Sequence, residues 1–82
     1  MVFSNIEWKT PRLAIWKSKL ENDGGGSIVG HIYWGDICIV LDYAKERNVI
    51  ILDEEVLIGP EVFILTQKGV SGWLEADALI SI

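Results

Sequence analysis

The chain holds one cysteine, one histidine and two prolines among its 82 residues. A single thiol, Cys38, cannot close an internal disulfide, which excludes a small secreted scaffold stapled by bridges. Cys38 lies within the apolar run Ile37-Cys38-Ile39-Val40-Leu41. No helix start or neighbouring cation is there to lower its pKa, so it reads as a small core hydrophobe. One histidine and one cysteine far apart lack the ligand set of a zinc site. Asp53-Glu54-Glu55 lacks the alternating spacing of a calcium loop and reads as a solvated hairpin tip. Gly24-Gly25-Gly26 precedes neither a helix nor a Lys-Ser/Thr pair, so it is no phosphate cradle. His31 has no local carboxylate or nucleophile to make a general acid–base site. The sequence therefore implies no metal, no cofactor, no catalytic residues and no enzyme.

Positive charge is scarce too: seven Lys and Arg face twelve Asp and Glu, a net charge of −5. Nucleic-acid binding normally leaves a clustered basic footprint. The nearest approach is Lys9, Arg12, Lys17 and Lys19, which reads first as the solvated face of a strand. A nucleic-acid-associated barrel using these four is the alternative reading. The N-terminal residues lack a charged region followed by a long apolar stretch, so no signal peptide is expected. No apolar run approaches the roughly 20 residues of a membrane span. The expected location is cytoplasmic.

What the chain does have is hydrophobic content, at half of all residues. Its apolar runs are short, rich in Val and Ile, and punctuated by Gly, Asp or Asn, which is a strand-and-turn pattern. Strands are expected at 12–17, 28–33, 36–43, 49–52, 56–58, 62–66 and 79–82, with Gly72-Trp73-Leu74 opening after a turn at 67–71. Lys45-Glu46-Arg47-Asn48 reads as a polar loop, and Gly59-Pro60 as a break in the ladder. Glu75-Ala76-Asp77-Ala78 suits one turn of 3₁₀ helix. The glycine run in 21–27 is the expected mobile segment. Short strands in so small a chain fit a closed or nearly closed barrel, which removes exposed edges.

Val62-Phe63-Ile64-Leu65-Thr66, a glycine-bearing turn, then Gly72-Trp73-Leu74-Glu75-Ala76-Asp77-Ala78-Leu79 resembles the C-terminal third of Src-homology-3-like domains. Gly35-Asp36 followed by alternating apolar residues resembles the second strand of that family. The chain also resembles short barrel proteins of unknown function from bacteriophages and bacteria. The resemblance implies an all-β fold: one domain over 1–82, a small barrel of about five core strands and one 3₁₀ turn. Residues 1–10 form an N-terminal arm in this reading, and 44–60 an inserted β-hairpin. It places Trp73 in the core where the barrel closes, with Gly72 admitting a neighbouring backbone. Proline-peptide binding does not carry over. Glu75 and Ala78 stand where the family's binders have proline and tyrosine, and Leu13-Ala14-Ile15-Trp16 has no tyrosine pair.

The remaining signal is aromatic and apolar. Four tryptophans, Trp8, Trp16, Trp34 and Trp73, accompany Tyr33 and Tyr43. Adjacent strand residues point to opposite faces, so Tyr33 or Trp34 must face outward. With His31 close by, they form the expected binding surface. Val49-Ile50-Ile51-Leu52 and Val56-Leu57-Ile58 barely alternate, which implies cover on both faces. Ile51 and Leu57 are therefore expected to meet a protein partner, a second copy of the chain included.

Overall fold

The computed structural model describes residues 2–5, 12–24 and 26–81, the first four and last two by backbone alone. Among the described residues it is all-β, with nine strands and a single 3₁₀ turn at Ala76–Ala78. The strands are β1 (Val2–Asn5), β2 (Arg12–Trp16), β3 (Ile28–Tyr33), β4 (Ile37–Ala44), β5 (Arg47–Ile51), β6 (Glu54–Ile58), β7 (Glu61–Thr66), β8 (Ser71–Glu75) and β9 (Leu79–Ser81). Among the described residues no helix is long and apolar enough to cross a membrane.

Seven strands form one sheet in the order β3-β2-β8-β7-β4-β1-β9, and β5 and β6 form a separate two-stranded sheet. Every pairing is antiparallel. The expected closure is not present: no pairing among the described residues joins β3 to β9, and the core strands number seven rather than about five. A strand has two edges, and both edges of β4 are taken, one by β7 and the other by β1. β3 precedes β4 in the chain but cannot pair with it, and remains a terminal strand. Val2–Asn5, expected as part of an arm, is the strand that fills the second edge of β4.

The core is formed by Ile15, Ile32, Cys38, Val62, Ile64 and Leu74 of the sheet, with Ala78 from the 3₁₀ turn. Period-2 alternation decides which residues reach it. Ile64 and its partner Gly72, then Val62 and its partner Leu74, take inner positions. Trp73 is thereby turned to the other face, which corrects its expected core placement. There it is half-buried, its ring edge-on to Phe63 at 5.4 Å and under the Lys19 ammonium at 5.3 Å. Trp73 pairs with Trp16, the junction of β2 with β8. Gly72 admits that junction: a Cβ there would lie 2.5 Å from the Trp16 carbonyl oxygen and 2.6 Å from Ile15 Cγ2.

The hairpin between β4 and β7 has its turn at Leu52-Asp53, not at Asp53-Glu54-Glu55. Ile51 pairs with Glu54, and both intervening residues have positive φ, +50° and +65°. That is the type I′ geometry whose twist matches the flanking strands. Arg47 and Asn48, expected in a loop, are in β5 because they pair with Ile58 and Leu57.

Candidate interaction surface

The β3–β4 corner gathers three of the expected binding residues. Tyr33, Trp34, Gly35 and Asp36 make a tight turn, closed by the Asp36 N–H donating to the Tyr33 carbonyl at 2.9 Å. Gly35 has φ +88°, the left-handed value that a type II turn requires at its third residue. Trp34 precedes it at the apex and is 66% exposed. Strand alternation predicts one outward residue of the pair. Both Tyr33 and Trp34 are exposed, because Trp34 belongs to the turn and escapes strand alternation.

Polar groups fix this corner. The Tyr33 N–H donates to Asp36 Oδ2 at 2.9 Å. Lys68, on the β7–β8 turn, brings its ammonium to 3.6 Å from the same oxygen and 4.9 Å from the Tyr33 ring centroid. The His31 ring lies 6.5 Å from that of Tyr33. Lys68 and Asp36 were missed by sequence reasoning. Asp36 could have been found as the acidic residue closing a Gly-containing turn. Lys68 could not, since only the fold brings a residue so distant in sequence to Tyr33.

Beyond the corner, β3 runs along the end of the sheet with Ile28, Val29 and Tyr33 exposed. Tyr33 turns its backbone groups toward Asp36 and so away from β2. By ladder alternation His31, two residues earlier, also turns its N–H and C=O away from β2.

Ile51 and Leu57 do not share a surface. The hairpin register places Arg47, Val49, Ile51, Val56 and Ile58 on one face, and Asn48, Ile50, Glu55 and Leu57 on the other. The first face is covered, with Val49 buried and Ile51, Val56 and Ile58 half-buried; on the second, Leu57 is 63% exposed. Cover on both faces, as the apolar runs implied, is therefore absent among the described residues.

The segment expected to be mobile is tied to this hairpin. The Asp23 N–H donates to the Ile50 carbonyl at 2.6 Å, and Asn22 Oδ1 accepts the Ile50 N–H at 2.7 Å. Asp23 Oδ1 accepts the Leu52 N–H at 3.2 Å. Asn22 and Asp23 thus occupy the outer edge of β5; Gly25 lies outside the described residues.

The basic residues of the alternative reading do not converge. Arg12 and Lys17 flank opposite ends of β2, roughly 16 Å apart along an extended strand. Lys19 is engaged with Trp73, and Lys9, like Trp8, lies outside the described residues. Among the described residues no three His, Cys, Asp or Glu side chains are grouped to hold a metal ion. Cys38 is buried, and desolvation pushes its thiol up to about 11.

No family model, curated protein or solved structure compared with the chain matches it. The functional reading rests on sequence and geometry.

Proposed function

We propose that this chain is a non-enzymatic protein-interaction module of Src-homology-3-like type, of phage or bacterial origin and cytoplasmic. It binds an extended segment of a partner along β3, with Trp34 as the anchor. The observation that carries the reading is the terminal position of β3, with exposed apolar side chains along it and an exposed tryptophan at its end. Natural proteins blunt such edges with charge, proline or cover, and Ile28–Tyr33 has no Lys, Glu, Asp or Pro. Strand addition draws affinity from main-chain hydrogen bonds and specificity from alternate side chains. Tryptophan is among the residues most enriched at binding hot spots. The family reading is supported by the succession of turn, β8, one 3₁₀ turn and final strand, which is the order that the resemblance implies.

The test compares wild type with Trp34→Ala and His31→Pro, each checked for native circular dichroism. Proline at 31 removes an outward N–H while sparing the bonds to β2. Sedimentation at micromolar concentration measures self-association, and capture from the source cells measures a foreign partner. Loss of the captured or self-associated species in both variants is the expected result. Binding that survives both substitutions would overturn the reading, as would association with DNA that weakens steeply with salt.

A further inference from the structure

A second feature, independent of the β3 edge, lies where the hairpin meets the main sheet. A groove of about 430 Å³ opens between β2, β8 and β6. This is within the range of small-molecule sites, roughly 300–1,000 Å³. Leu13, Trp16, Leu20, Ile58 and Leu74 give it apolar walls. Among the described residues two carboxylates, Glu61 and Glu75, are the only charged groups lining it. They are direct cross-strand partners in the β7–β8 ladder. Like charges facing each other in this way destabilise a sheet.

The local charge is unbalanced. Arg47 pairs with Glu61, which is 6% exposed and also accepts the Leu20 N–H. Glu75 makes no ion pair among the described residues. Among the described residues one guanidinium therefore serves two carboxylates, which leaves a net negative charge at the mouth of an apolar groove.

We propose that this groove binds a small organic amine, with the protonated ammonium at Glu75 beside Glu61 and an apolar body against Trp16, Leu13 and Ile58. Charge complementarity selects the head group, since a cation between the two carboxylates relieves their repulsion. The apolar walls select the body, since a fully hydrated ion gains nothing from them.

The probe is phenethylammonium, followed by NMR of the full chain, with 3-phenylpropionate as the isosteric anion and 3-phenylpropanol as the neutral control. Phenethylammonium should produce saturable shifts at the methyls of Leu13, Leu20, Ile58 and Leu74. Phenylpropionate should produce none, and the alcohol should bind about tenfold more weakly than the amine. Glu75→Gln should lower amine affinity about tenfold. Glu75→Lys should abolish amine binding and raise the melting temperature by placing opposite charges across the ladder. Glu75 is exposed and its side chain caps nothing, so both variants should keep the native spectrum. Equal binding of the anion, unchanged affinity in Glu75→Gln, or no saturable shift with the amine at millimolar concentration would each overturn the proposal.

Discussion

Arg47 in the hairpin and Glu61 at the start of β7 form an ion pair that also fastens the segment after β2. The guanidinium donates to Glu61 Oε1 and, at 2.7 Å, to the Leu20 carbonyl, while the Leu20 N–H donates to Glu61 Oε2 at 3.4 Å. Three distant parts of the chain meet at one buried carboxylate. Removing a single partner leaves that charge without compensation, whereas replacing both by apolar groups is often neutral. Arg47→Met should destabilise the fold by about 2–4 kcal/mol, less than a fully buried pair because the arginine is partly exposed. Arg47→Met combined with Glu61→Leu should recover most of the loss. Urea denaturation of the wild type, both single variants and the double variant checks this. Additive losses would show that the pair itself is not the source.

Gly72 makes a sharper steric prediction. A methyl group at this position meets the Trp16 carbonyl oxygen and Ile15 Cγ2, both well inside contact distance. The obstacle on one side is backbone, so β2 and β8 must separate for it to fit. Gly72→Ala should cost about 2–3 kcal/mol, at the upper end for overpacking. Gly69→Ala is the control for space, since nothing lies within 4 Å of a Cβ there; its φ of +87° leaves only backbone strain. Thermal unfolding of the two variants separates the contributions.

That Gly72 admits a neighbouring backbone was legible in the sequence, and so was most of the local structure around it. The glycine before an aromatic in a strand signals close approach, and the short Glu75–Ala78 segment signals a 3₁₀ turn. The limits of β3 were also readable, because turn-forming residues bracket a Val/Ile-rich run. What was not readable was long-range pairing. Val2–Asn5 has no feature marking it as the strand beside β4, and its insertion there keeps β3 at the edge. The face of Trp73 depends on the register of β7 against β8, which composition does not encode. The same holds at the candidate sites. Trp34 and Tyr33 stood out by type, but Lys68 beside Tyr33 and Glu75 opposite Glu61 exist only through tertiary pairing. The tethering of Asn22 and Asp23 to β5 was hidden behind three glycines that suggested a mobile loop.

The hairpin tip offers a stabilising change. Leu52 and Asp53 both occupy the left-handed region, where residues with a Cβ are strained, and Leu52 is 86% exposed. Asn-Gly is the preferred pair for such a turn. Leu52→Asn with Asp53→Gly should raise stability by about 1–2 kcal/mol, through relief of strain that costs of order 1 kcal/mol or more per residue. The Leu52 N–H bond to Asp23 is a backbone donor bond and survives the change. A higher urea midpoint with an unchanged slope is the expected result. A lower midpoint would mean that the Leu52 side chain is held by contacts that outweigh the strain.

Cys38 links stability to alkaline pH. The residue is 2% exposed, and burial raises its thiol from an ordinary value of 9.0 to about 11. Below pH 9.0 both the folded and unfolded chains keep the thiol proton, so the contribution is fully present and flat. As pH rises from 9.0 to about 11, the unfolded chain releases this proton while the folded chain retains it. The unfolded state then binds fewer protons, and unfolding becomes easier. The full effect is roughly 2–3 kcal/mol, from about 1.4 kcal/mol per unit. Cys38→Ala lacks the titration, so its stability relative to wild type should improve steadily across that window and be constant below it. Every other side chain is common to both proteins, so the difference isolates the thiol. Alkylation provides an independent check at neutral pH: a thiol this buried reacts only when the fold opens, so labelling should follow the opening equilibrium and accelerate with urea. Rapid stoichiometric labelling of the native protein would place Cys38 outside the core.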